Sequence, residues 1–143
     1  MSSVYLICRD ARADSLITNL ALGLQLRAGG DDVAVLFTGE SLCAFTGETW
    51  HWPRHLAGRP AQVAIAAGAP GAGLSLNAEF DRRWLDLEKL IQQATDAGIR
   101  LVACPLWTDL LGIGAALPAC LARPDMEQLL GELRSARQVI GGF

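Results

Sequence analysis

Short, continuous runs of apolar residues alternate along this chain with longer segments that carry apolar residues at helical spacing. The runs VYLIC (residues 4–8) and VAVLF (residues 33–37) contain no polar residue. Such runs are typical of strands that are buried on both faces of a parallel sheet. Between them, residues 15–28 repeat leucine and isoleucine with helical periodicity. Strand, helix and strand in this order indicate right-handed crossovers, so the sequence predicts an α/β fold.

The run VYLIC is expected to be the first, central strand of the sheet. Helices and strands are predicted along the rest of the chain from the same kinds of pattern. Asp14 or Ser15 can cap the first helix, which should end at Gly29 and Gly30. The other predicted elements are a short helix at 41–45, a third strand AQVAIAAGA (61–69), a helix at 80–97 ended by Gly98, a fourth strand IRLVAC (99–104), a short helix through WTDLLGIG (107–114), a helix from about Asp125 to Ala136 and a last strand RQVIGGF (137–143).

The length of 143 residues and the hydrophobic content of 51% suit one domain with one core. We therefore predict a single three-layer α/β/α domain over 1–143, with a mostly parallel sheet of about five strands. The periodicity is lost over 38–60, where an irregular loop that carries tryptophans is expected.

Charge and composition exclude several classes of partner. The net charge is −3 and the arginines are scattered, so no nucleic acid or anionic membrane partner is predicted. The first residues lack a basic segment followed by a sustained apolar one, and no uncharged apolar stretch is long enough to span a bilayer. We expect a cytoplasmic protein.

Neither a metal nor a cofactor is predicted. The four cysteines form no CxxC pair, and His51 and His55 have no cysteine at zinc-finger spacing. The segment TWHWPRHL (49–56) could supply a metal ligand or a general base, but burial of its tryptophans against the body or a neighbouring subunit is favoured. GAPGAG (68–73) lacks the Gly-Lys-Ser/Thr of a phosphate loop, and no GxGxxG follows the first strand.

Two thiols are predicted at the carboxyl ends of strands, where ligands and catalytic groups of open α/β sheets gather. Cys104 is followed by the start of a predicted helix, whose dipole favours a thiolate, but a strand-end cysteine can equally be a packed hydrophobe. Cys8 has the same position and is favoured as a core residue. Core packing is also predicted for Cys43 and Cys120.

Three further residues could support chemistry at Cys104. Arg9, close to the first helix, could bind an anion or promote thiolate formation, although such arginines are more often solvated or ion-paired. Asp109 could orient a partner or simply occupy the first turn of its helix. Trp107, two residues before Asp109, is assigned together with Cys8 to the surroundings of the Cys104 thiol.

The pattern resembles the DsrE/DsrF-like family, small α/β proteins that include sulfur-relay subunits. The resemblance rests on VYLICRD, VAVLFTGES, ATDAGIRLVACPLWTDLLGIG and MEQLLGELRSARQVIGGF, and the block around the cysteine is its most specific part. It implies that Cys104 carries a persulfide and passes sulfane sulfur between donor and acceptor proteins. It also implies a homo-oligomer, a trimer or hexamer, or a heteromer, with the cysteine in a pocket at a subunit boundary.

Two functions of different classes follow. The first is a sulfur carrier in which Cys104 accepts sulfane sulfur and hands it to an acceptor thiol. The second is a non-enzymatic oligomeric binding or interaction module in which Cys104 is structural and Trp50, Trp52 and Trp107 build an interface or a small-ligand pocket. Flavin or nucleotide binding is disfavoured because the phosphate motif is missing.

Overall fold

The structure, a computed structural model, describes residues 3–47 and 49–141 and contains one sheet of five strands. All neighbouring strands run parallel, in the order β4-β3-β2-β1-β5. The predicted α/β fold with about five strands is therefore confirmed. The strands are β1 (Ser3–Cys8), β2 (Asp32–Phe37), β3 (Arg100–Ala103), β4 (Leu121–Ala122) and β5 (Gln138–Ile140).

Among the described residues, seven α-helices and a short 3-10 helix at Gly114–Ala116 connect and cover these strands. The long first helix ends at a glycine pair as predicted, and Gly30 has a φ of 97°, a conformation that glycine adopts readily. The helices are α1 (Ala13–Ala28), α2 (Glu40–Cys43), α3 (Arg54–Ala57), α4 (Arg59–Gly68), α5 (Leu87–Asp96), α6 (Pro105–Leu111) and α7 (Met126–Ser135).

The strand β1 is interior but not central. Val4, Leu6 and Cys8 have no exposed surface, because neighbouring strands and helices enclose them. The strand order nevertheless places β2 at the centre and β1 beside the edge strand β5, so the predicted central position is wrong. A continuous apolar run indicates that a strand is buried on both faces. Every interior strand has this property, so the run does not indicate which of them is central.

The two faces of the sheet are covered by different helices. On one face, α1 approaches so closely that a Cβ added to Gly23 would lie 3.1 Å from Ile99 and 3.5 Å from Val33. On the other face, α7 places Glu132 against the Tyr5 hydroxyl, which donates a hydrogen bond to it. Arg100 also pairs with Glu132, with 2.7 Å between Nη2 and Oε2.

An aromatic cluster closes the core at the carboxyl end of β2. The ring of Phe37 meets Phe45 edge to face, with centroids 4.9 Å apart, and Trp50 at 6.2 Å. Phe45 and Trp50 are themselves in edge contact at 5.4 Å. The irregular segment after β2 is therefore anchored to the body of the domain through its aromatic side chains.

The predicted third strand at 61–69 is a helix, α4. Alanine has the highest helix propensity, and Pro60 occupies the first turn, where its missing N–H is not needed. Only Ala66 of α4 is buried. An apolar run of this length fits a helix or a strand equally well by periodicity alone, and here alanine content decides.

The helix predicted at 80–97 begins later, at Leu87. Asp86 caps it by accepting a hydrogen bond from the Glu88 N–H at 3.1 Å, and an isolated bridge pairs Asn77 with Leu85 upstream. Trp84 therefore lies outside the helix and is 48% exposed, although its spacing predicted a place on the helical face. The predicted end at Gly98, with a φ of 89°, is correct.

Two further differences from the predicted elements concern the strand β4 and the start of the first helix. The strand β4 has only two residues, too few for a sequence pattern, and it replaces the misassigned 61–69 as the fifth strand. The first helix is capped by Arg12 without a side-chain hydrogen bond, so the predicted caps Asp14 and Ser15 already lie inside it. In contrast, Asp125 caps α7 through a capping box with Gln128, close to the predicted start.

Candidate functional site

The two strand-end cysteines lie on the same edge of the sheet, with β2 between them. Cys8 is in register with Phe37, and Phe37 with Ala103. The N–H of Cys104 donates to the carbonyl oxygen of Phe37 at 2.9 Å, so Cys104 is held directly at the end of β3. Two strand spacings separate the Cα atoms of Cys8 and Cys104 by about 10 Å, which is too far for a disulfide.

The side chains of these two cysteines also point to opposite faces. Residues paired across parallel strands share a face, so Cys8, Phe37 and Ala103 point the same way. Cys104 follows Ala103 in extended conformation, with φ −62° and ψ 121°, and its side chain therefore turns to the other face. The structure brings the two thiols to one edge without bringing their sulfur atoms together.

Cys104 caps the short helix α6. The N–H of Thr108 donates to the Cys104 carbonyl at 3.0 Å, and the Thr108 hydroxyl donates to the same oxygen at 2.8 Å. Pro105 occupies the first helical position, where its fixed φ suits the helix and its missing N–H costs nothing. The sulfur of Cys104 makes no capping hydrogen bond, and the residue is buried, with 8% of its surface exposed.

Cys104 lies at the amino-terminal end of α6. The N–H groups of Leu106 and Trp107 belong to the first turn of α6 and have no acceptor within the helix. The dipole of a helix favours an anion at this end in general, and the Cys104 sulfur itself accepts no hydrogen bond from the α6 backbone. The predicted start of a helix directly after this cysteine is confirmed, and its first residue is Pro105 rather than Trp107.

Cys8 is a core thiol in this structure. It has no exposed surface, and its S–H lies 3.8 Å from the carbonyl oxygen of Asp10. Burial, with a further contribution from the negative charge of Asp10, raises the pKa of Cys8 to about 12. At neutral pH this residue is therefore a protonated thiol and not a nucleophile.

The turn after β2 ties the ends of β1 and β2 together. The Ser41 hydroxyl lies 2.8 Å from the Cys8 carbonyl and 2.9 Å from the Thr38 carbonyl. Gly39 has a φ of 62°, and a Cβ there would meet the Arg9 carbonyl at 3.3 Å, so the turn requires glycine. Arg9 contributes its backbone to this contact and is exposed.

Asp109 and Trp107 lie on α6 but have different surroundings. Asp109 lines a cavity of about 400 Å³ between the carboxyl ends of β3 and β4 and the start of α7. Trp107 is 38% exposed and does not line this cavity, and neither does Cys104, although both chain neighbours of Cys104 do. The lining comprises Ala103, Pro105, Leu106, Thr108, Asp109, Arg123, Pro124, Asp125 and Met126.

The helix α6 exposes an apolar surface beside Cys104, a feature that the sequence reasoning missed. None of its residues is buried. The exposed residues are Leu106 (48%), Trp107 (38%), Leu110 (64%) and Leu111 (38%). A short apolar segment predicts burial, and only the fold shows that no other element of the described chain covers this one.

The histidines of the segment TWHWPRHL are exposed, while its first tryptophan is packed inside. The backbone of His51 bridges the start of α1, donating to Ala11 at 2.9 Å and accepting from Ala13 at 2.7 Å. Within residues 3–47 and 49–141, no three His, Cys, Asp or Glu side chains cluster in a way that could hold a metal ion.

The remaining cysteines differ in burial. Cys43 is half-buried at the end of α2, whereas Cys120 is exposed. The prediction of core packing is therefore wrong for Cys120. This residue precedes the two-residue strand β4 in a turn, where a neighbouring leucine reaches the core and the cysteine does not.

None of the helices in the described ranges combines the length and the apolar character that crossing a bilayer requires.

Comparison with known proteins identifies the fold. No family model matches the sequence, and no curated protein matches it either. The crystal structure of the YchN protein from E. coli aligns with a TM-score of 0.60 and 16% identity, covering 99% of this chain and 100% of the other. The conserved protein BT1422 of unknown function from Bacteroides thetaiotaomicron aligns with a TM-score of 0.56 and 13% identity, covering 99% and 95%. The chain therefore shares the parallel α/β fold of these two structures, and at such identities the likeness establishes the fold alone.

Proposed function

We propose that this protein is a sulfur carrier that holds sulfane sulfur as a persulfide on Cys104. The observation that carries the proposal is the position of Cys104, which ends β3, caps α6 and keeps its sulfur free of a capping hydrogen bond. A persulfide anion on Cys104 would lie at the amino-terminal end of α6, the end of a helix that favours negative charge. The resemblance of the flanking sequence to sulfur-relay proteins supports the same residue.

The chemistry needs two exchanges and no cofactor. In the first, the thiolate of Cys104 attacks the outer sulfur of a donor persulfide, R–S–SH, so that a new S–S bond forms, the old one breaks and the donor leaves as R–S⁻. In the second, an acceptor thiolate attacks the same outer sulfur, and Cys104 leaves as the thiolate. Both steps exchange one S–S bond for another, so no external oxidant or reductant is consumed.

Incubation with glutathione persulfide followed by mass spectrometry tests this assignment. We expect the wild-type protein to gain one sulfur atom on the peptide that contains Cys104, and to release it on treatment with a reducing thiol. Cys104→Ser should reduce the gain to background because the nucleophile is absent.

Cys120→Ser is the matched control, since it removes the exposed thiol and leaves the candidate site intact. Its sulfur uptake should equal that of the wild type. An unmodified Cys104 peptide in the wild type, or uptake that depends on Cys120 instead, would overturn the proposal.

A second candidate is an oligomeric interaction module, favoured by the exposed apolar surface of α6. Four large apolar side chains on a seven-residue helix leave contiguous hydrophobic area open to water, which is typical of an interface. We propose that a second copy of this chain covers it. Such an assembly is compatible with sulfur transfer, because the same helix starts at Cys104.

Leu110→Glu tests the interface, because Leu110 is the most exposed leucine of α6, at 64%. We expect the variant to elute from size-exclusion chromatography as a smaller species than the wild type, since a buried charge at the contact is costly. Leu22→Glu, on the outside of α1 and 40% exposed, should leave the elution unchanged. A wild type that is already monomeric, or an unchanged Leu110→Glu, contradicts this candidate.

A further inference from the structure

A cavity far along the chain from Cys104 collects three of the four tryptophans. Trp50, Trp52 and Trp84 line a space of about 300 Å³ between the segment after β2 and the start of α5. Trp50 is buried and fixed by its edge contacts with Phe37 and Phe45, so one wall is rigid. We call this space the tryptophan cavity.

The charged groups of the tryptophan cavity are all acidic. Asp86 and Glu88 line it, and no lining residue that the structure describes is a lysine or an arginine. Asp86 also caps α5, so part of its charge is engaged by the helix. Glu88 is exposed and forms no ion pair among the described residues.

One face of Trp84 already holds a cation. The guanidinium carbon of Arg59 lies 4.2 Å from the centre of the Trp84 ring. Arg59 lines a neighbouring cavity of about 270 Å³, which is also lined by Arg83. This cavity shares Trp52 and Trp84 with the tryptophan cavity. The two spaces meet at the same indole rings, and the basic residues line one while the carboxylates line the other.

Indole faces attract cations through the ring quadrupole, and quaternary ammonium groups are recognised by cages of such rings. Carboxylates beside the rings add charge complementarity without requiring a hydrogen-bond donor from the ligand. A phosphate or carboxylate ligand would meet two negative charges in the same space. From these observations we propose that the tryptophan cavity binds a small organic cation that carries a quaternary ammonium group.

This site does not depend on the chemistry of Cys104, and binding measurements test it separately. The probe is choline, followed by isothermal titration calorimetry on the full chain. We expect saturable binding of choline and at least about tenfold weaker binding of its neutral carbon isostere, in which a tert-butyl group replaces the trimethylammonium group.

Variants at Glu88 and Trp84 locate the binding. Glu88→Gln keeps the shape of the cavity and removes one of its two carboxylate charges, so choline affinity should fall about tenfold. Glu127→Gln is the matched control, because Glu127, like Glu88, lies in the first turn of a helix that an aspartate caps. This variant should leave the affinity unchanged.

Trp84→Leu should weaken choline binding by a similar factor, and the half-exposed ring can be removed without opening the core. Trp107→Leu, on α6, controls for the loss of an exposed tryptophan elsewhere. The proposal is overturned if choline shows no saturable binding, if the neutral isostere binds equally well, or if the control variants lose as much affinity as Glu88→Gln and Trp84→Leu.

Discussion

Replacement of Phe37 by alanine is expected to lower the free energy of unfolding by about 3–5 kcal/mol, which is the usual cost of removing a fully buried phenylalanine. Phe37 has no exposed surface, and it contacts the rings of both Phe45 and Trp50 edge to face. Alanine leaves a cavity beneath these two rings. The loss therefore combines transfer free energy, packing and two aromatic contacts.

Denaturant titration of the variant and the wild type measures this loss. Phe80→Ala is the matched control, because Phe80 is 83% exposed and its removal should change the free energy of unfolding by no more than about 0.5 kcal/mol. Equal effects of the two substitutions would show that the aromatic cluster does not hold the core.

The same substitution bears on the candidate site. The carbonyl oxygen of Phe37 accepts the N–H of Cys104, so β2 fixes where that thiol lies. A shift of the strand end in Phe37→Ala would carry Cys104 with it. We expect its alkylation rate to change in this variant and to stay constant in Phe80→Ala.

The second large effect is a loss of stability at alkaline pH that depends on Cys8. In the folded protein the pKa of this thiol is raised to about 12, against 9.0 for an unperturbed cysteine. Below pH 9 the thiol is protonated in both states, so its contribution is fully present. As the pH rises toward 12, the unfolded chain releases this proton and the folded chain keeps it, so the free energy of unfolding falls.

The difference of three units between the two pKa values of Cys8 corresponds to a loss of about 4 kcal/mol in the free energy of unfolding. Tyr5, whose pKa burial raises to about 12 from 10.0, adds to the loss in the upper part of this window. Denaturant titrations at a series of pH values from 8 to 11 measure the slope.

Cys8→Ser and Cys8→Ala are the two informative variants. Neither replacement ionises in this range, so both should show a flatter dependence on pH, with the slope from Tyr5 remaining. The starting stability of each variant is lower, but the comparison concerns the slope and not the level. An unchanged slope in both variants would mean that Cys8 is not shielded from water in the folded protein.

The parts of the fold that the sequence predicts well are those with strong local signals. Continuous apolar runs of β-branched and aliphatic residues identified β1 and β2, and a glycine with positive φ ended both α1 and α5. The sequence predicts a strand at the alanine-rich segment 61–69, where the structure has a largely exposed helix, because periodicity alone does not separate a short apolar helix from a strand. The strand β4 is formed by pairing with β3, and two residues carry no pattern of their own.

The candidate site was predictable to the extent that it depends on local order along the chain. A strand end, a cysteine and a proline place Cys104 at the cap of α6 without any knowledge of the fold. The opposite orientation of Cys8 follows from sheet register, which the sequence does not show. The tryptophan cavity joins residues 50–52 to residues 84–88, and only tertiary packing brings these segments together.

The pairing of β1 with β5 has a consequence for how the chain folds during synthesis. Val4 is in register with Gln138, so both edges of β1 are paired only after the much later strand β5 has been synthesised. Contacts of such long sequence separation slow folding, and an unpaired edge is a template for association with other chains. One side of β1 therefore stays open while the residues between β1 and β5 are synthesised, and during that interval it can pair with other chains.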